Sequence, residues 1–255
     1  MSDDQTVAYA RKGLIGVLTP QANTTVEPEY SILCPQDHAF INARMISTKN
    51  TIEARLVDYA DSIEDHIAQF ANAPIRAVAL ATTGASYLIG KSAEDELVGR
   101  VFETRGLPLV TTAIAICDAL EVLNARRVAL ISPYPAALTG ASIQYWKSRD
   151  LEVVRVVSVF KDSDSFHPIY ALAADAAGVG LDSVKDCDAE AVVMLGTGMP
   201  TLSVIAAHTH WGGPPILSCM LALVWRSVMA SVGEKLDKSE LMDWIAARHW
   251  RKRIG

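Results

Sequence analysis

The run Gly13-Leu-Ile-Gly-Val-Leu-Thr19-Pro20-Gln21 has a counterpart in Arg126-Arg-Val-Ala-Leu-Ile-Ser132-Pro133-Tyr134, and this pairing decides the fold. Each is an aliphatic run that ends in a hydroxyl residue and a proline. Two further pairs follow in the same order. Ala77-Val-Ala-Leu-Ala-Thr82-Thr83-Gly84 matches Ala191-Val-Val-Met-Leu-Gly196-Thr197-Gly198, and Pro108-Leu-Val-Thr111-Thr112 matches Pro215-Ile-Leu-Ser218-Cys219. A repeat of roughly 110 residues is too long for a solenoid, whose units are usually ~20–50 residues. It predicts two halves of like build, 1–125 and 126–255.

Outward from these pairs, short aliphatic runs at 13–18, 39–46, 77–81, 107–110, 127–131, 152–160, 191–195 and 215–217 alternate with longer helical patterns. That alternation is the mark of a parallel sheet covered on both faces. Between the second and third runs, Ile52, Leu56, Tyr59, Ile63, Ile67 and Phe70 recur at helical spacing and predict one amphipathic helix. The expected fold is therefore α/β: two pseudo-symmetric, doubly wound, four-stranded parallel-sheet lobes with the site in the cleft between them. Ligands of open α/β sheets bind beyond the carboxyl ends of the strands. The paired turns should then face one another across a single site.

Composition narrows the function. The chain has 255 residues, half of them hydrophobic, with 23 basic against 29 acidic side chains and a formal charge of −6. A mildly acidic chain whose only basic cluster is at its end offers no footprint for nucleic acid or an anionic membrane. No apolar run approaches the ~18 residues of a membrane span, and the acidic start Met1-Ser2-Asp3-Asp4 lacks the pattern of a signal peptide. A cytoplasmic protein without nucleic-acid or membrane partners is expected. Gly196-x-Gly198 is a fragment of a dinucleotide fingerprint that Met199-Pro200 breaks off, so no nucleotide cofactor is expected. His208 and His210 enter a strand at the edge away from the cleft with no third ligand nearby, so no metal is expected either.

Thr82-Thr83-Gly84 and Gly196-Thr197-Gly198 each stand between a buried strand and a helix. Such turns present unpaired main-chain N–H groups and hydroxyl donors, and glycine lets a ligand approach the backbone. Two of them face to face suit a small carboxylate, or an enolate formed between them. The turn after the first strand is unusually polar. Thr24-x-x-Glu27 fits a capping box, which leaves Asn23 free to donate to a carboxylate. Tyr134, in the equivalent turn of the second half, can supply a hydrogen bond or a proton.

Gly16-Val-Leu-Thr-Pro20-Gln-Ala-Asn23-Thr24-Thr25-Val-Glu27-Pro-Glu29 resembles the N-terminal signature of maleate cis-trans isomerases. Ala81-Thr82-Thr83-Gly84-Ala85-Ser86-Tyr87, Ser132-Pro133-Tyr134, Leu195-Gly196-Thr197 and Pro215-Ile-Leu-Ser218 resemble further motifs of that group and of arylmalonate decarboxylases, both in the aspartate/glutamate racemase superfamily. The resemblance runs from about Gly13 to Trp225. It implies a two-lobe enzyme without cofactor or metal, which binds a small carboxylate between its lobes and assembles as a homodimer or higher homo-oligomer. Members of the superfamily carry a cysteine just after the middle strand of one or both lobes. The matching positions here are Thr82 and Gly196, neither of which offers thiol chemistry. Asn23, Thr83, Tyr134 and Thr197 match positions of polar ligands.

Of the four cysteines, Cys34, Cys117 and Cys187 fall on the wrong side of the strands. Cys219 opens a helix after the last strand, where a helix N-terminus lowers a thiol pKa, yet it is read as structural. His167 precedes Pro168 in a loop on the cleft side and can act as an acid or base with a pKa near neutrality. His66 and His249 are read as surface residues, and Trp225, Trp244 and Trp250 as packing.

The expected site thus comprises Thr82, Tyr134 and His167 as groups that handle a proton, with Pro20, Asn23, Thr83, Gly84, Gly196, Thr197 and Gly198 as the carboxylate grip. Decarboxylation through an enediolate is the least demanding chemistry for it. Cis-trans isomerisation, racemisation with a relocated proton carrier, hydrolysis with Thr82 as nucleophile and carboxylate binding without catalysis remain open. The two-lobe site requires residues 82–84 and 196–198 to be close, with no thiol poised between them.

Overall fold

A computed structural model of the chain describes residues 7–162, 167–173 and 175–254. The first sheet is built from β1 (Gly13–Pro20), β2 (His38–Met45), β3 (Ala77–Leu80) and β4 (Leu109–Thr111), in the order β2-β1-β3-β4. The second holds β5 (Arg127–Ser132), β6 (Glu152–Ser158), β7 (Ala191–Met194) and β8 (Ile216–Ser218), in the order β6-β5-β7-β8. All neighbouring strands are parallel. The identical orders are the structural image of the repeated sequence. Every residue of β1, β3 and β7 is buried, as the absence of polar alternation in these runs requires.

Helices α1 (Val26–Leu33), α2 (Ile52–Asp61), α3 (Ile63–Ala68), α4 (Thr83–Arg105) and α5 (Thr112–Leu123) accompany the first sheet. Helices α6 (Ala136–Ser148), α7 (Ala176–Val179), α8 (Leu202–Ala207), α9 (Cys219–Val232) and α10 (Lys238–Ile245) follow, with a 3-10 turn at Pro168–Ala171. The single helix expected over 52–70 is two. The Ser62 hydroxyl donates to the Asp58 carbonyl four residues back, competing with the helix ladder and bending the chain between α2 and α3.

The lobes interlock with the same symmetry. The helix after each first strand reaches the helix after the other lobe's middle strand. From α1, the buried Glu29 accepts hydrogen bonds from the N–H groups of Thr201 (2.5 Å) and Leu202 (3.2 Å) at the start of α8. From α6, Tyr145 and Arg149 bind the fully buried Glu94 of α4, with Arg149 Nη2 at 2.6 Å. Helices α5 and α9, each following a fourth strand, pack on one another.

The tryptophans are packing residues as expected, and Trp250 Nε1 donates to the Trp244 carbonyl at 2.9 Å. His66 is not on the surface. It is buried, with Nε2 3.1 Å from the Ser62 hydroxyl, because the bend at Ser62 turns that face of α3 inward. Among the described residues no group of acidic, histidine or cysteine side chains has the arrangement of a metal site, and no helix is long and apolar enough to cross a membrane.

Candidate active site

The carboxyl ends of β1, β3, β5 and β7 converge, and the turns that follow them touch. Thr197 Oγ1, after β7, donates to the carbonyl of Ala81, after β3, at 2.8 Å. Asn23 Nδ2, after β1, donates to Thr197 Oγ1 at 3.3 Å. Thr25 Oγ1 donates to the Gly198 carbonyl at 2.9 Å. The two Thr/Gly turns are therefore neighbours, as the internal repeat predicts.

A cavity of about 20 Å³ lies among them, lined by Pro20, Asn23, Leu56, Thr82, Gly84, Tyr134, His167, Ile169, Tyr170, Thr197 and Gly198. A larger one of about 300 Å³ adjoins it, sharing Leu56, His167 and Tyr170 and lined further by Gln21, Ile52, Arg55 and Tyr59. The inner space holds little more than one water molecule. Ile169 and Tyr170, on the 3-10 turn, are what fill it.

Thr82 has extended backbone and its side chain makes no capping bond, so this hydroxyl does not merely start α4. Gly84 lets Leu56 close over the turn, since a Cβ there would stand 2.7 Å from Leu56 Cδ1 and push that side chain aside. Arg44 braces the β1–α1 turn from behind. Its Nη1 donates to the carbonyls of Asn23 (2.7 Å) and Pro20 (3.2 Å), and Nη2 pairs with Glu27.

Several expectations need correction. Asn23, not the Thr24–Glu27 pair, caps α1. Its Oδ1 accepts the N–H groups of Thr25 (2.8 Å) and Val26 (3.1 Å), while Glu27 serves Asn42 and Arg44 instead. With one Nδ2 hydrogen on Thr197, Asn23 keeps a single donor for a ligand. The Thr197 hydroxyl spends its hydrogen on Ala81 and can only accept. His167 does not have a pKa near neutrality. Burial pushes it down to about 4, leaving a neutral imidazole at physiological pH.

Thr83 and Gly196 do not line the cavity but stand behind it, and between them is a thiol. Cys219 Sγ lies 3.3 Å from Thr83 Oγ1 and accepts the Gly196 N–H at 3.1 Å. The sulfur-free arrangement expected from the sequence is thus overturned. Position 219 follows β8, next to β7, so the first residue of α9 falls beneath both turns. Cys219 is fully buried, and burial pushes its pKa up to about 12 despite these hydrogen bonds, so it is a neutral thiol. Among the described residues no cysteine lines the inner cavity.

Sequence reasoning missed Ile169, Tyr170 and Leu56. The first two follow His167-Pro168, a turn signal that placed the histidine but not its neighbours. Leu56 lies on the apolar stripe of the amphipathic pattern, which gives no sign of lining a site.

The arylmalonate decarboxylase family pattern matches residues 15–240, most of the chain. The chain belongs to the arylmalonate decarboxylase family. Among curated relatives of this family member, a maleate isomerase of Pseudomonas putida KT2440 is 24% identical over 232 residues, covering 85% of this chain and 90% of the isomerase. A maleate isomerase of Geobacillus stearothermophilus is 23% identical over 235 residues, covering 83% and 89%. Among solved structures, a variant of the maleate isomerase Iso from Pseudomonas putida S16, crystallised with maleate, superposes with a TM-score of 0.74 at 21% identity, covering 86% of this chain and 91% of that one. An arylmalonate decarboxylase superposes with a TM-score of 0.70 at 19% identity, covering 87% and 94%. The family and the two-lobe fold agree with the resemblance read from the sequence, and these relatives are isomerases or decarboxylases.

Proposed function

We propose that this chain is a cofactor-independent, decarboxylase-like enzyme that acts on a small mono- or dicarboxylate through an enediolate-type intermediate. The observation that carries this is the composition of the inner cavity. It joins the unpaired hydroxyl of Thr82, the hydroxyl of Tyr134 and the remaining Asn23 Nδ2 hydrogen with apolar walls from Leu56 and Ile169.

The division of labour follows from charge. One carboxylate of a malonate-type substrate is held by Asn23, by Thr82 and by the N–H groups at the start of α4, which lack helical partners. The other faces the apolar wall, where an anion is poorly solvated and neutral carbon dioxide is not. Loss of carbon dioxide moves its electron pair onto the retained carboxylate. Preorganised donors are most effective on charge that develops in this way. Tyr134 then delivers a proton to carbon. His167, neutral, serves as a hydrogen-bond donor at the cavity wall rather than as a cationic acid. Substrate must displace Ile169 and Tyr170 to enter, and the adjoining cavity of about 300 Å³ accommodates its side group.

A second reading, maleate-type isomerisation, is favoured by the curated relatives, which are maleate isomerases. A solved maleate cis-trans isomerase of Nocardia farcinica carries a covalently bound succinylcysteine. Thiol addition of that kind needs a cysteine facing the substrate, and the inner cavity here presents Thr82 and Gly84 instead. Assays of carbon dioxide release from phenylmalonate and methylmalonate, beside conversion of maleate to fumarate, separate the two. Carbon dioxide without fumarate is expected, and fumarate alone would replace the first reading by the second.

A further inference from the structure

The two lobes make the same passage from strand through a proline turn to helix, after β1 and after β5, so each serves as a control for the other. In the first lobe the strand register sets Thr19 beside Arg44 of β2. In the second it sets Ser132 beside Ser158 of β6. The second lobe secures its turn with the Thr139 hydroxyl, which donates to the Tyr134 carbonyl at 3.2 Å, and among the described residues no β6 side chain is hydrogen-bonded to that turn. A passage of this kind therefore folds without a cation from the edge strand. Arg44 is an addition, and it stands on the side of the site that holds Asn23.

What the arginine adds is direction. Nη1 carries two hydrogens, and both go to main-chain oxygens of the turn, that of Asn23 at 2.7 Å and that of Pro20 at 3.2 Å. The Pro20 carbonyl also accepts the Asn23 N–H at 2.9 Å, so both its lone pairs are engaged. Nη2 pairs with Glu27, which Asn42 Nδ2 holds at 3.0 Å, and Asn42 Oδ1 accepts the Thr19 hydroxyl at 2.5 Å. Glu27 balances the guanidinium charge, so Arg44 bears on a ligand through the turn it holds rather than as a bare cation. The turn's carbonyls are occupied by the guanidinium, while the Asn23 side chain lines the cavity with Nδ2 3.3 Å from Thr197 Oγ1.

We propose that Arg44 is a positioning residue that acts through Asn23, setting the amide where it meets the carboxylate that the substrate keeps. This rests on the reading of Asn23 as part of the carboxylate grip. Arg44 itself does not line the inner cavity. A planar guanidinium fork can hold two carbonyls and a carboxylate at once, which a lysine ammonium on its flexible stem does not reproduce. Misplacing a gripping group by about 1 Å is enough to cost on the order of 100-fold in rate.

The test is a double-mutant cycle on the full chain, with Arg44→Met and Asn23→Ala made singly and together. Arg44→Lys is carried through the same cycle, and thermal unfolding confirms that each variant is folded at the assay temperature. The readouts are kcat/KM for carbon dioxide release from phenylmalonate and the Kd of phenylmalonate by calorimetry. Arg44→Met should lower kcat/KM on the order of 100-fold, and Arg44→Lys by at least about tenfold. In the Asn23→Ala background Arg44→Met should cost less than about threefold, because residues that act through one another are not additive. A structural role alone would give the same further loss in both backgrounds. That result, or Arg44→Lys turning over at the wild-type rate, overturns the proposal and leaves the decarboxylase reading standing. If the wild-type chain binds phenylmalonate without releasing carbon dioxide, the decarboxylase reading fails and the cycle is read on Kd. Loss of affinity confined to chains that keep Asn23 then supports the positioning role, and equal loss in both backgrounds overturns it. No binding of phenylmalonate at all overturns both.

Discussion

Asn23 of the first lobe and Thr197 of the second are joined by a hydrogen bond of 3.3 Å, and this contact ties the two repeated halves at the mouth of the site. Asn23 holds three positions at once. It caps α1, bridges to Thr197, and keeps one hydrogen for a ligand.

These roles separate by mutation. Asn23→Ala loses the cap and should cost about 1 kcal/mol of stability. Asn23→Asp keeps the acceptor for Thr25 and Val26 and so keeps the cap, but it sets a second acceptor against Thr197 Oγ1, whose hydrogen is spent on Ala81, and should cost about 1–3 kcal/mol at that contact instead. It places a carboxylate against the substrate's own, so KM should rise at least about tenfold, equivalent to ~1.4 kcal/mol. Chemical denaturation and steady-state kinetics of both variants check this.

Glu29 makes the interlobe contact sensitive to pH. Burial raises its pKa from 4.5 to about 7, against the lowering effect of the N–H groups of Thr201 and Leu202. A carboxyl whose folded pKa is raised contributes stability that is full below its unfolded value and is lost as pH rises through the folded one. Wild type should therefore lose roughly 3 kcal/mol from this group between pH 4.5 and 7. Glu29→Gln keeps an acceptor for both N–H groups and does not titrate. Its stability relative to wild type should increase with pH over that window, as measured by urea unfolding at pH 5 and pH 8.

At the other interlobe contact, Arg149 pairs with the fully buried Glu94, with its own side chain 12% exposed. Arg149→Met leaves a buried carboxylate without its cation and should destabilise the fold by about 3–5 kcal/mol. Adding Glu94→Gln to that variant should recover much of the loss, as unfolding of the single and double variants would show.

Gly196 has a φ of +87°, and a Cβ there would lie 2.7 Å from Ile169 Cδ1 and 3.0 Å from Pro133 Cγ. Gly196→Ala should cost about 1–3 kcal/mol in backbone strain, and it should push Ile169 out of the cavity it fills. A lower melting temperature together with a crystal structure of the variant tests both effects. Unchanged stability and an unmoved Ile169 would contradict them.

The architecture was legible because its signals are local. Buried parallel strands show as aliphatic runs, and duplication shows as recurring turns such as Thr82-Thr83-Gly84 and Gly196-Thr197-Gly198. The convergence of Pro20, Asn23, Thr82, Gly84, Tyr134, His167, Thr197 and Gly198 on one cavity follows from topology alone. What the sequence hid depends on direction and depth. The direction of the Thr83 hydroxyl and of the Gly196 N–H, both toward Cys219, is set by packing between the lobes. The pKa of His167 is set by the 3-10 turn that buries it, and the bend at Ser62 by one hydroxyl competing for a carbonyl.

In the proposed reaction the two lobes hold a carboxylate while electron density builds on it and then protonate the neighbouring carbon. Phenylmalonate in deuterated water, followed by proton NMR, reports on it directly. One deuterium at the benzylic carbon of phenylacetate for each carbon dioxide released, abolished in Tyr134→Phe, is the predicted result. Saturable binding of phenylmalonate with neither product nor isotope incorporation would contradict it.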